Sequence, residues 1–286
     1  MARTIIDTHP HIVSPDTTRY PMAPIGGKRS VWSADHSVTL EQMIPAMDAA
    51  GVHKAAMVHS STTYGFDNTY VVDAVALYPK RMTGVFSVNV MEADAPQRMR
   101  EWYAKGCTGM RIYARGSTIA EPWLRLDDPA THPAWSCAAD LGISVATNYL
   151  ADANGIAQFT TILQKYPKVK LFLDHIGRPP TADGPPYAAA ADFFRLSRFP
   201  NFYIKLTPTG LGHTVKGKAT TETFVSKLVA EFGANRIAWG SNYPAAKGSL
   251  ADLVGTTKAA IAHLSESDQD WILGKTAQVL YPVLAD

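Results

Sequence analysis

Eight short apolar runs, rich in β-branched residues, punctuate the chain at residues 4–6, 55–58, 83–88, 109–113, 143–147, 170–173, 203–206 and 236–240. Between them apolar positions return every three or four residues, over 40–50, 69–78, 94–104, 132–141, 155–166, 188–196, 221–232 and 250–264. The short runs predict buried strands and the 3.6-residue period predicts amphipathic helices. Gly51, Gly106, Gly142, Pro167 and Gly233 stand where five of the helical patterns stop, as left-handed or chain-breaking residues do. Strict alternation of strand and helix predicts a parallel sheet, and eight such pairs predict an α/β TIM barrel of eight parallel strands. No linker interrupts the pattern, so residues 1–286 read as a single domain.

The excess proline and glycine falls in four connections, 11–38, 114–131, 177–187 and 207–219. Each follows a strand, which in a barrel gathers all four over the C-terminal face, where barrel enzymes build their sites. Residues 268–286 read as a last helix and a docked tail anchored by Trp271, Leu273, Val279 and Leu280.

Composition narrows the function. At 286 residues with 46% hydrophobic and 18% charged, the chain can bury a large core. A net charge of +2 without a basic cluster recommends neither a nucleic acid nor an anionic membrane as partner, and leaves a small molecule. No apolar stretch approaches the roughly 18 residues of a membrane span, and no signal segment opens the chain. Cys107 and Cys137 have no metal-ligand spacing and read as packing residues of a reducing compartment. The expectation is a cytoplasmic protein; a homo-oligomer is compatible with everything above.

The chemistry concentrates at strand ends. His9 and His11, in Asp7-Thr8-His9-Pro10-His11, are two residues apart after strand one and face one side. With His175, in Asp174-His175-Ile176-Gly177-Arg178 after strand six, they would supply three nitrogen donors for a divalent ion such as zinc or manganese. Asp7 would orient a ligand or a substrate group. Arg111, on strand four, could hold a carboxylate or polarise a carbonyl, or form a structural ion pair. His59, Ser60, Ser61, Asn89, Tyr113, Asn148 and Tyr149 form a candidate substrate cradle, with Arg178 beside His175 and Lys205 inside the apolar run of strand seven. Tyr64, Trp32, Trp123 and Tyr243 would add aromatic walls. Asn242 stands after strand eight, where a barrel hydrolase of this kind would keep a catalytic carboxylate, and an amide cannot serve as general base near neutral pH.

These segments, with Tyr64-Gly65-Phe66-Asp67-Asn68, Ile204-Lys205-Leu206, residues 239–244 and Gly274-Lys275-Thr276-Ala277, resemble the amidohydrolase superfamily over nearly the whole chain. The resemblance is to the group that includes 2-pyrone-4,6-dicarboxylate hydrolase and sugar lactonases. It implies a distorted TIM barrel that opens lactones by water attack, with His9, His11 and His175 as metal ligands or, in the metal-free pyrone-hydrolase branch, as carbonyl polarisers. It also implies an aspartate at position 242 and an arginine after strand seven; the chain has Asn242 and, over residues 205–210, no arginine.

Three readings follow: a catabolic hydrolase of a lactone or related cyclic ester, a non-oxidative decarboxylase of an aromatic or unsaturated acid, and a catalytically disabled homologue that only binds ligand. Asn242 counts against the decarboxylase, whose relatives also use the strand-eight aspartate.

Overall fold

The structure, a computed structural model, describes residues 3–285. Its eight strands form one parallel sheet in sequential order. They are β1 (Ile6–Asp7), β2 (Lys54–Val58), β3 (Met82–Phe86), β4 (Gly109–Ile112), β5 (Ser144–Thr147), β6 (Lys170–Leu173), β7 (Phe202–Leu206) and β8 (Ile237–Trp239). Just beyond β1, both the backbone N–H and the hydroxyl of Thr8 donate to the Trp239 carbonyl, at 3.2 and 2.7 Å, and bring the first strand against the last. The predicted TIM barrel is therefore present.

The covering helices are α1 (Val31–Asp35), α2 (Leu40–Ala50), α3 (Ser61–Tyr64), α4 (Thr69–Leu77), α5 (Ala95–Ala104), α6 (His132–Leu141), α7 (Ala153–Lys165), α8 (Ala191–Phe194), α9 (Pro208–Thr214), α10 (Thr221–Phe232), α11 (Leu250–Ile261), α12 (Glu266–Asp270) and α13 (Thr276–Leu280). Reciprocal capping by Thr39 with Gln42, Thr220 with Thr223 and Ser249 with Asp252 fixes the starts of α2, α10 and α11.

Three stretches depart from the sequence expectation. Residues 188–198 form not one helix but the short α8 flanked by 3-10 turns, with Phe193 and Phe194 both buried. The connection after β7 contains α9: Pro208 takes the first helical position and the Thr207 hydroxyl accepts from the Gly210 N–H at 2.9 Å. In the tail, Leu273 and Leu280 are buried as expected, but Val279 is exposed and its anchoring place falls to Tyr281 and Leu284. Asp286 lies outside the described residues.

The barrel interior has two levels. Ile6, Ala56, Val58, Val85, Ala146, Phe172 and Ala238 point inward and pack with Leu280, Tyr281 and Leu284, so the C-terminal segment plugs the barrel from below. Two residues further along the strands the inward positions become ionic: Phe172 gives way to Asp174, and Tyr203 to Lys205. Cys107 and Cys137 are buried free thiols in the surrounding core. Among the described residues no helix is long and apolar enough to cross a membrane.

Candidate active site

Above the ionic level lies a cavity of about 230 Å³ at the C-terminal ends of the strands. His11, Trp32, Arg111, Tyr113, Arg115, Asn148, Tyr149, Asp174, His175, Arg178, Thr209 and Asn242 line it, so residues from five strand ends and two helical connections meet at one place. Asp174 is the hub. Arg111 Nε lies 2.8 Å from its Oδ2, and Lys205 Nζ 2.8 Å from its Oδ1; all three side chains are buried. Burial works to raise the Asp174 carboxyl, but Lys205, Arg111 and His9 outweigh it and hold the group well below the usual carboxylate range. Burial lowers Lys205 despite its partner.

His9 sits behind the cavity wall, its ring centre 4.9 Å from that of His11 and 4.8 Å from that of His175. Its Nδ1 is 3.0 Å from Lys205 Nζ and 3.5 Å from Asp174 Oδ1. His11 Nδ1 faces the Val58 carbonyl at 2.9 Å. A carbonyl only accepts, so Nδ1 of His11 carries the proton and Nε2 keeps its lone pair. His175 Nδ1 is held 2.9 Å from the Thr207 hydroxyl. Burial pushes all three imidazoles down, with Arg111 adding to the effect at His11: His9 falls well below the usual value, and His11 and His175 to about 3. Near neutral pH each is an uncharged ring.

Local backbone makes this crowding possible. His175, Ile176 and Arg178 have φ of 53°, 65° and 55°, a left-handed turn that non-glycine residues adopt only under tertiary constraint. Part of that constraint is Gly210, where a Cβ would lie 2.8 Å from the His175 carbonyl carbon. Gly240 lets the end of β8 approach β1: a Cβ there would meet His9 Cβ at 2.7 Å. Asp7 works from the same place, its Oδ1 accepting from the backbone N–H groups of His9 and Ser241 at 2.9 and 2.8 Å. It fixes the loops that carry the site, and burial raises its carboxyl. Asn242, also left-handed at φ 60°, donates from Nδ2 to Thr209 Oγ1 at 3.1 Å, which leaves its carbonyl oxygen as an acceptor in the cavity wall.

Other expected contacts lie elsewhere. His59 Nε2 bonds the Gly65 carbonyl, Ser60 the Ile12 carbonyl, and Ser61 the Ser87 hydroxyl, while Tyr64 OH accepts from the Ser14 N–H. These four brace the loop after β1 against β2 and β3 and do not line the cavity, so their place in the substrate cradle is corrected. His59 is pushed down to about 4 by burial. Asn89 closes its own turn with Met91 and Glu92, and Trp123 bonds the Tyr113 carbonyl from outside. Tyr243 contributes its backbone carbonyl, which accepts from the His11 N–H at 2.8 Å. Tyr149 and Asn148 do reach the cavity, but their polar atoms are committed, Tyr149 OH to Gln158 and Asn148 to the backbone of Ala114 and Arg115. Trp32 stacks on His11 with ring centres 5.1 Å apart.

Sequence reasoning passed over Arg115, Thr209 and the central part of Asp174. Arg115 had a signal: with Arg111 and Tyr113 it keeps the two-residue spacing of one strand face. Asp174 follows directly on the apolar Leu171-Phe172-Leu173, a place where a carboxylate needs partners. Thr209, within a proline- and glycine-rich stretch, had none.

The three imidazoles offered either as metal ligands or as carbonyl polarisers are brought together, but among the described residues no three His, Cys, Asp or Glu side chains are arranged to hold an ion. The charge distribution explains it: the carboxylate nearest the three imidazoles already carries an ammonium and a guanidinium, and a divalent ion beside them would face two buried cations.

A family model described as amidohydrolase matches residues 6–283. Two curated relatives are an L-fucono-1,5-lactonase of Burkholderia ambifaria, 26% identical over 72% of this chain and 70% of the relative, and a 4-sulfomuconolactone hydrolase of Rhizobium radiobacter, 25% identical over 83% and 75%. Among solved structures, a putative 2-pyrone-4,6-dicarboxylic acid hydrolase of Pseudomonas putida superposes with a TM-score of 0.78 at 21% identity, covering 100% of both chains. An amidohydrolase of Burkholderia multivorans solved with bound zinc superposes at 0.72, 18% identical, over 98% and 99%.

Proposed function

The chain belongs to the amidohydrolase family, and on that premise we propose that it opens a small lactone, or a related cyclic ester, by attack of water in the cavity above Asp174. The observation that supports this most is the convergence there of a neutral imidazole with a free lone pair, a guanidinium and an amide oxygen. Two relatives act on lactones by name, which points the same way.

In this reading the Asn242 carbonyl oxygen orients the water and His11 Nε2 takes its proton as the carbonyl carbon is attacked. Nε2 then returns that proton to the ring oxygen as the acyl–oxygen bond breaks. Arg111, fixed through Nε by Asp174, aims its remaining N–H groups at the developing oxyanion, a contribution of about 3–4 kcal/mol for a well-placed donor. A family metal would supply Lewis acidity, but the donors fit one poorly and no step here runs through it. The cavity suits a substrate of one ring. Arg115 and Arg178 at its mouth favour a negatively charged substituent, supplied from β4 and β6 rather than from β7.

The test is hydrolysis across neutral and anionic lactones by the chain and its Asn242→Asp variant. Turnover by the unaltered chain, faster on anionic rings, is expected. Turnover by the variant alone would refute the part given to His11, and silence in both would refute the lactonase reading.

A further inference from the structure

Lys205 enters the barrel from β7 with its ammonium fully buried, 2.8 Å from Asp174 Oδ1, 3.0 Å from His9 Nδ1 and 4.4 Å from the centre of the Phe172 ring. As a counter-ion for Asp174 it shares the carboxylate with Arg111, which holds the other oxygen at 2.8 Å. The contact with His9 is the informative one. An ammonium has three N–H donors and no lone pair, so an imidazole nitrogen facing it must accept, and the ring proton is left on the opposite nitrogen. The familiar carboxylate–histidine pair has the reverse polarity: the carboxylate accepts from Nδ1–H, and Nε2 keeps its lone pair for a metal or a proton. Asp174 Oδ1 lies 3.5 Å from the same Nδ1, within reach of that pairing, but Lys205 is nearer.

We propose that Lys205 is a positioning residue that inverts His9: its ammonium donates to Nδ1, the proton resides on Nε2, and the imidazole becomes a hydrogen-bond donor kept for an oxygen of the substrate or of the attacking water. A second observation agrees. His9 Nε2 is buried with no hydrogen-bond partner, behind the two histidines that line the cavity, and a buried donor left open calls for an acceptor that arrives with the ligand. The polarity also accounts for the poor fit to a metal, since a protonated Nε2 cannot ligate. Only the identity of the incoming oxygen rests on the hydrolase reading; the tautomer does not.

The experiment is nitrogen NMR of the full chain labelled in its histidines, with the His9 signals assigned by their loss in His9→Gln. The expected result near neutral pH is Nε2–H with Nδ1 accepting. Lys205→Met should reverse the tautomer towards Asp174 and lower kcat by about 100-fold while KM changes less than about threefold. Lys205→Arg, which keeps a donor, should retain the Nε2–H form. An Nδ1–H form in the unaltered chain, an unchanged tautomer in Lys205→Met, or stoichiometric zinc binding that displaces the His9 Nε2 signal would each overturn the proposal. Should Lys205→Met fail to fold, the unaltered spectrum and its zinc titration still decide. An Nε2–H form in a chain inactive on every lactone would refute the hydrolase reading alone.

Discussion

At the level of Phe172 the barrel interior is largely apolar; two residues on, about 6–7 Å along the strands, it is Asp174, Lys205 and Arg111. The lower layer is closed by Leu280, Tyr281 and Leu284 from the C-terminal segment, and the upper layer opens into the cavity. The contrast shows how a site is made electrostatically strong. Burial beside the apolar floor pushes His11 and His175 down to about 3, whereas Asp174 is held well below the usual carboxylate range by Lys205, Arg111 and His9 against the burial that would raise it. The plug supplies stability and the ionic layer supplies chemistry, on the same face of the same strands.

Removing the hub of the ionic layer should have the largest effect. Asp174→Asn leaves Lys205 and Arg111 buried without a full counter-charge, so unfolding in urea should show a loss of about 3–5 kcal/mol together with abolished turnover. Truncating the plug should separate the two properties. Leu280→Ala is expected to lose about 2–5 kcal/mol in the same measurement, with kcat/KM of the folded fraction within about twofold. A kinetic defect as deep as that of Asp174→Asn would break the division of labour.

A third effect is the acid response. His11 and His175 are depressed from 6.5 to about 3 in the folded chain, so between those values the unfolded state binds more protons. Their stabilisation is complete above pH 6.5 and is lost as pH falls towards 3. The melting temperature should therefore drop through that window, and the acid limb of kcat/KM should lie below pH 4, not near 6.5. A kinetic inflection at the ordinary histidine value would contradict the burial argument.

The sequence made the alternation of elements legible because strand and helix periods are local properties, and six of the eight helical stretches agree with α2, α4, α5, α6, α7 and α10 to within two residues at each end. The α9 turn was hidden by Gly210 and Gly212, one of which is there for its close approach to His175 rather than for flexibility. His11, His175, Arg111 and Asn242 could be read as strand-end residues and do share the cavity. The misplacement of His59, Ser60, Ser61 and Tyr64 has one cause. Beyond β2 the chain turns at once into α3, and strand alternation no longer says which way a side chain points. The ammonium between His9 and Asp174 was illegible for another reason: spacing brings donors together without revealing which nitrogen holds the proton.

The most direct test of the central claim is ring opening in oxygen-labelled water, with the product read by mass spectrometry on whichever lactone the unaltered chain consumes. Water attack at the carbonyl carbon predicts one labelled oxygen in the new carboxylate and retention of every carbon. Loss of carbon dioxide, or a product without label, would contradict it.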